Sequence, residues 1–288
     1  MEKKIEIVLG FECNNNCGFC SIGKRDFRKP LEQVKREIDL AAEEKPYEIN
    51  FTGGEPILIK DIFDIVSYAK GKIKSVRITT NGRMLYYGDF AKRLVDSGLT
   101  GAIFSLHAPN AEIHDRLTGV EGSFNQLVKG MENLSGLVDD ISINTVITTL
   151  NYRLLPEMVE KTIGRFGVKS YCLIFPTLYG NILENKHLIP KYEDIRPHAH
   201  KALEIVRGRG SVGWVLNVPP CFLDKEEQYS GTADFNTIMY WPDQRTDLDE
   251  KRKEGKIRIS RCEGCEFADR CSGVPEDYYN IIMGGRDG

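Results

Sequence analysis

Nowhere in its 288 residues does the sequence hold an apolar run approaching the roughly 18 that a membrane helix needs, so no helical membrane span is expected. The opening residues, Met1-Glu2-Lys3-Lys4, are too charged for a secretory signal, and the apolar run after them is too short. Lysine and arginine never form a dense block. The net charge is −3, and the short basic run Lys251 to Lys253 fits a solvated loop, so no nucleic-acid partner is expected. No repeat of fixed period appears beyond an alternation of strand-like and helix-like runs. These absences together point to a cytoplasmic protein, in a compartment where thiols stay reduced. Eight cysteines in that setting suggest metal or redox chemistry rather than disulfide staples.

The first two-thirds of the chain supplies the alternation. Strand-like runs at Lys4–Leu9, Tyr47–Phe51, Ser75–Thr79, Ala102–Leu106, Ile141–Ile147 and Ser170–Phe175 are rich in Ile, Val, Phe and Thr. After Pro30, at a favourable first-turn position, Leu31, Val34, Ile38 and Ala41 recur at helical spacing. Further helices are expected at Lys60–Lys70, Asp89–Ser97, Ser123–Leu134, Leu154–Arg165 and Lys191–Arg207. Six β–α units in a row predict a parallel sheet with helices outside it. Six is fewer than the eight of a closed barrel. The expected fold is therefore α/β, an open partial (β/α)6 TIM-like barrel, with a flat doubly wound sheet as its competitor. From Gly208 the pattern changes. Trp214–Val218 fits a strand, Asp224 to Lys256 is polar and irregular, and the tail from Arg261 is dense in Cys, Gly and acidic residues. Residues 1–207 are expected to form the barrel core and residues 208–288 a small loop-rich extension that needs a staple.

The segment after the first strand reads Phe11-Glu12-Cys13-Asn14-Asn15-Asn16-Cys17-Gly18-Phe19-Cys20, a C-x3-C-x2-C spacing. Three thiolates on one tight loop can hold three irons of a cubane cluster. The fourth iron then keeps an open position, which a catalytic metal centre requires. A structural zinc would need a fourth Cys or His, and the next His is the distant His107. The ends of the later strands carry further candidates, as expected for the active-site end of a β/α barrel. Thr52-Gly53-Gly54-Glu55-Pro56 follows the second strand. Its glycines permit close backbone approach to a ligand, and Glu55 can accept a hydrogen bond from an ammonium group or simply cap the turn. Thr80-Asn81-Gly82 closes the third strand, and Ser105-Leu106-His107 the fourth. His107 is a substrate contact, a proton donor or a satisfied polar residue, and strand register also places Tyr171 and Tyr179 near the same mouth. Arg116 offers a guanidinium fork suited to a carboxylate, or is a surface helix arginine. Asn144, polar within an apolar strand, needs a partner.

With the cysteine loop directly after a first strand, and with the aromatic Phe19 before its last cysteine, the sequence resembles the radical S-adenosylmethionine enzymes. The resemblance runs to about Phe175. It implies a partial barrel with a [4Fe–4S] cluster on Cys13, Cys17 and Cys20 at the carboxyl ends of the strands. S-adenosylmethionine would chelate the open iron through its amino and carboxylate groups. One electron, from a flavodoxin- or ferredoxin-type reductant, would cleave it to methionine and a 5′-deoxyadenosyl radical that takes a hydrogen atom from the substrate. The resemblance further implies cofactor contacts from Phe19, Gly53, Gly54, Glu55, Pro56, Thr80, Asn81, Ser105, Arg116 and Asn144.

Setting aside Cys172, which reads as a buried small hydrophobe, four cysteines remain: Cys221, Cys262, Cys265 and Cys271. Four thiolates complete a closed site for a [4Fe–4S] cluster or for zinc, and their chemistry alone does not choose. The C-x2-C-x5-C tail, followed by Gly273 and tyrosines, resembles the auxiliary-cluster extension called SPASM, or its shorter twitch relative. That implies one auxiliary [4Fe–4S] cluster on these four thiolates. Full SPASM has further cysteines where this chain has Asn236 and Pro275, which argues against a second. Extensions of this style often accompany peptide modification, implying a peptide substrate, although no leader-peptide-binding domain precedes the first strand. A small metabolite or cofactor precursor is the alternative substrate. A non-catalytic zinc or iron–sulfur protein is the alternative of another class.

Overall fold

The computed structural model describes residues 3–23, 26–223 and 236–284. Seven strands alternate with helices along most of it. They are β1 (Lys4–Gly10), α1 (Leu31–Glu43), β2 (Glu48–Gly53), α2 (Ile62–Lys70), β3 (Ser75–Thr80), α3 (Gly88–Asp96), β4 (Gly101–Ser105), α4 (Ala111–Thr118), α5 (Ser123–Leu134), β5 (Asp140–Val146), α6 (Leu155–Phe166), β6 (Ser170–Ile174), α7 (Tyr192–Gly208) and β7 (Val212–Leu216). After them come β8 (Thr237–Tyr240), β9 (Arg245–Asp247), α8 (Leu248–Lys251), β10 (Lys256–Ile257), β11 (Val274–Pro275) and the single turn α9 (Glu276–Tyr278). Among the described residues nine strands form one sheet, in the order β7-β6-β5-β4-β3-β2-β1-β8-β9. Strands β1 to β7 run parallel, β8 pairs parallel to β1, and only β9 is antiparallel. The result is the open, curled partial barrel that the β–α alternation predicts, with a larger sheet than six units require.

Period-two alternation separates the two faces of the sheet. Ile5, Ile7, Ile49, Phe51, Val76, Ile78, Phe104, Ile141, Ile143, Tyr171 and Leu173 are fully buried in the core. Val34, Ile38 and Ala41 of α1 bury in the same cluster, as their helical spacing predicts. The intervening positions are largely polar. Strand register aligns Glu6 with Asn50 and Arg77, and aligns Ser105, Asn144, Cys172 and Trp214 in one row. A parallel sheet covered by apolar contacts on one face and polar on the other leaves a surface for a ligand. At its amino-terminal end Arg77 is buried against Glu48 at 3.0 Å, Asp140 at 3.2 Å and Ser142 at 2.7 Å.

Several elements depart from the sequence reading. β7 begins two residues before the expected Trp214 and ends at Leu216, and it extends the sheet beyond β6. The segment read as irregular from Asp224 contains β8, whose four residues are all buried along the free edge of β1. Burial on every side erases the alternation by which a half-exposed strand is recognised. The short α4 was not anticipated as a helix, and Asn110 caps it by accepting from the Ile113 N–H at 3.1 Å.

Besides the pairing of β8 with β1, side chains tie the carboxy-terminal segment to the barrel. Lys29, just beyond the cysteine loop, has a fully buried side chain and bonds Glu37 of α1 at 2.6 Å and the carbonyls of Tyr240 and Trp241. Tyr278 stacks on Tyr192 of α7 with ring centroids 3.9 Å apart, and its hydroxyl accepts from the Tyr192 N–H.

Candidate functional site

The cysteine loop leaves the carboxyl end of β1, and five separate segments hold it. Its base is closed by Phe11 and Lys29, whose N–H groups donate to Phe27 and Leu9. On the β2 side the Gly54 N–H donates to Gly10 and the Glu55 N–H to Glu12, both at 2.8 Å. This contact explains the glycine pair. A Cβ on Gly53 would stand 2.2 Å from the Gly10 carbonyl oxygen, and one on Gly54 2.2 Å from that of Glu12. Gly53 also has φ of +133°, which side chains rarely adopt. What these glycines admit is the backbone of the cysteine loop itself.

From the β3 end, the Asn81 side-chain amide donates to Asn14 at 2.7 Å and approaches the Cys13 sulfur at 3.9 Å. Arg83 donates to the Asn14 carbonyl and to the Asn15 side chain, and is steadied by Gln126 of α5 at 2.6 Å. The last turn of α4 accepts the Asn16 and Gly18 N–H groups through Thr118 and Leu117. Beyond β6, Asn181 donates through its side chain to the Cys17 carbonyl and through its N–H to that of Cys20, both at 2.9 Å. Arg83 and Asn181 were not singled out from the sequence. Neither belongs to a local motif, and only the fold brings them to the loop.

Glu55 joins two strand ends. Its buried carboxylate accepts from the Thr80 hydroxyl at 2.7 Å, the Asn81 N–H at 2.6 Å and the Ile57 N–H at 3.3 Å. Burial lifts its pKa to about 7, and these donors hold it from rising further. Pro56 opens the short turn that follows. Phe19 turns inward and packs edge-on against His107, ring centroids 4.7 Å apart. His107 is buried, its ring Nδ1 accepts from the Val146 N–H at 3.3 Å, and its backbone N–H donates to the His114 ring at 3.2 Å. Burial holds its pKa well below the usual imidazole range. Its buried ring backs the loop through Phe19. Tyr171 is likewise no mouth residue, because it is fully buried and bonds the Thr162 hydroxyl of α6. Tyr179 is exposed. Ser105 and Asn144 share one register row on the polar face, both partly exposed. Arg116 is exposed in the last turn of α4, without a hydrogen-bond or ion-pair partner among the described residues.

All eight cysteines are free thiols. Burial raises the pKa of Cys17, and the proximity of Cys13 and Cys20 raises it further. Cys13 is raised by burial, with Glu55 and Cys20 adding to it. Three thiols on one short loop, with Cys13 and Cys17 held protonated by burial and by their neighbours, form a donor set suited to a cationic metal centre. A second set forms at the other end of the chain. Cys221, Cys262, Cys265 and Cys271 line one small cavity, together with Phe222 and Phe267. Burial pushes Cys221 up to about 11, the other three thiols push it further, and Arg261 opposes them. Among the described residues, no three His, Cys, Asp or Glu side chains gather closely enough to hold a single metal ion.

The Radical SAM superfamily model matches residues 7–164, a stretch that includes the cysteine loop and strands β2 to β5. The chain belongs to this superfamily. Membership implies a [4Fe–4S] cluster and S-adenosylmethionine. Among curated relatives, the chain is 33% identical over 161 residues to a protein of Thermococcus kodakarensis named Probable GTP 3′,8-cyclase, covering 54% of this chain and 52% of the relative. It is 35% identical over 163 residues to Mycofactocin maturase MftC of Mycolicibacterium smegmatis, covering 55% and 41%. The chain spans about half the length of the curated relatives it matches. The fold resembles that of Streptococcus suis SuiB, solved with S-adenosylmethionine, at a TM-score of 0.70 and 17% identity, over 98% of this chain and 74% of SuiB. SuiB has also been solved bound to its precursor peptide SuiA. No helix among the described residues is long and apolar enough to cross a membrane.

Proposed function

We propose that this protein is a radical S-adenosylmethionine enzyme that abstracts a hydrogen atom from a peptide substrate. The observation that carries the reading is the cysteine loop. Three mutually interacting thiols sit at the carboxyl end of β1, in a loop tied to β2, β3, α4 and the segment after β6. Cys13, Cys17 and Cys20 would hold the catalytic cluster, which when bound would pass one electron to S-adenosylmethionine, giving methionine and a 5′-deoxyadenosyl radical. Gly53, Gly54 and Pro56 shape the wall beside the cluster, and Glu55 faces the cofactor's ammonium or orients Thr80 and Asn81 toward it. Ser105 and Asn144 contact the nucleoside or methionyl part from the polar face, Arg116 pairs with the carboxylate, and Phe19 backs the loop. A flavodoxin- or ferredoxin-type protein supplies the electron.

In this reading residues 1–207 are the catalytic core. Residues 208–288 are a SPASM- or twitch-like extension whose Cys221, Cys262, Cys265 and Cys271 hold an auxiliary [4Fe–4S] cluster. The shared cavity supports that donor set. The peptide substrate is supported by the likeness to SuiB over nearly the whole chain and by the maturase relative. A small metabolite is the second reading, favoured by the relative named as a GTP cyclase. Anaerobic reconstitution should give about eight irons and eight sulfides per chain, and 5′-deoxyadenosine under reductant. Stoichiometric zinc in both cysteine sets would refute the reading.

A further inference from the structure

A second cavity, of about 50 Å3, lies between the loop that leaves β7 and the segment from α8 to β10. Its charged lining is one-sided. Arg252, Lys253, Lys256 and Arg270 face it, and Asp249 is the only carboxylate among its described lining residues. The chain as a whole is net negative, so composition does not account for this excess. Two of these cations are partly engaged: Arg252 bonds Asp249 at 2.6 Å, which also accepts the Asn236 N–H at 2.6 Å, and the exposed Lys253 bonds Glu250 at 2.7 Å. Lys256 is half-buried and has no ion-pair or hydrogen-bond partner among the described residues. Holding a partly desolvated ammonium without an anion is costly, and a cleft lined by one sign of charge concentrates ligands of the other.

The location matters as much as the charge. Arg252 lies close enough to Glu6 and Cys172 on the polar face of the sheet to favour their ionised forms. On the opposite side, Cys271 lines both this cleft and the four-cysteine cavity. The cleft thus sits between the sheet face and the auxiliary site.

We propose that this cleft is an oxyanion subsite for the substrate, taking a carboxylate or phosphate group on Arg252 and Lys256, with Lys253 and Arg270 at its rim. An arginine fork and a lysine suit either group, and the small volume admits the anionic head of a substrate rather than the whole of it. The assignment rests on the enzymatic reading above, and it narrows the substrate to one that carries an anionic group.

Calorimetric titration of the anaerobically reconstituted protein tests it. The probes are inorganic pyrophosphate, the peptide acetyl-Glu-Gly-Glu-amide and its neutral counterpart acetyl-Gln-Gly-Gln-amide. At least one anionic probe should bind, and the neutral peptide should not. Affinity should fall about ten-fold or more in Arg252→Gln and separately in Lys256→Gln. It should hold in Arg165→Gln, an exposed position on α6. Tighter pyrophosphate binding indicates a phosphate-bearing metabolite, and tighter acidic-peptide binding a peptide. No anionic binding, equal binding of the neutral peptide, or binding that survives both substitutions would overturn the assignment. Iron content and 5′-deoxyadenosine formation, measured on the same preparations, separate that failure from a failure of the enzymatic reading.

Discussion

At the residue scale, the site depends on groups that touch the cysteine loop rather than on the cysteines alone. Gly54 is the sharpest case, because a methyl group there meets only backbone, at Glu12 and Phe11. Gly54→Ala should displace the loop, lower iron at the first site and cut 5′-deoxyadenosine formation by roughly 10²-fold. Normal cleavage by that variant would mean the close approach is dispensable. His114 sets a pH dependence. Burial lowers its pKa to about 4, against 6.5 for the ordinary group, with Asp115 opposing the shift. The unfolded chain therefore binds more protons between those values, and stability is lost as pH falls through that window. From pH 7 to pH 5 its contribution should drop by about 2 kcal/mol, a loss that His114→Gln should lack when urea unfolding is compared at the two pH values. Cys13, Cys17 and Cys20 were legible in the sequence because their chemistry is written in local spacing. Arg83 and Asn181 were not, since the partners they hold lie 69 and 164 residues away along the chain.

At the scale of elements, the barrel strands announced themselves. Six parallel strands and most helices carry clear periods of two or 3.6 residues, and they appear within a residue or two of their expected bounds. β8 carried no such signal, because every one of its residues is buried. Its position beside β1 is secured partly by Lys29, whose ammonium spans Glu37 of α1 and the carbonyls that follow β8. Removing one partner of a buried pair strands the other. Lys29→Met should destabilise the protein by roughly 3 kcal/mol in denaturant unfolding, while Lys29→Met with Glu37→Leu should recover most of that loss. Equal losses in the single and double variants would show that the pair is not the fastening.

At the scale of the molecule, one end of the parallel sheet gathers a three-thiol loop, a buried carboxylate and a polar strand face. The chain that follows brings a four-thiol cavity to the same body. The substrate left no trace in local sequence, because no motif encodes it and the basic cleft is assembled from three separate segments. The central claim is an iron at Cys13, Cys17 and Cys20 that the protein leaves open for S-adenosylmethionine. It is tested most directly by electron–nuclear double resonance on the reduced protein, with Cys221, Cys262, Cys265 and Cys271 replaced by alanine and S-adenosylmethionine labelled with 15N at its amino group. The account predicts a 15N coupling to the cluster that vanishes in Cys17→Ala. A reduced cluster without that coupling, or a loop that retains zinc in place of iron, would contradict it.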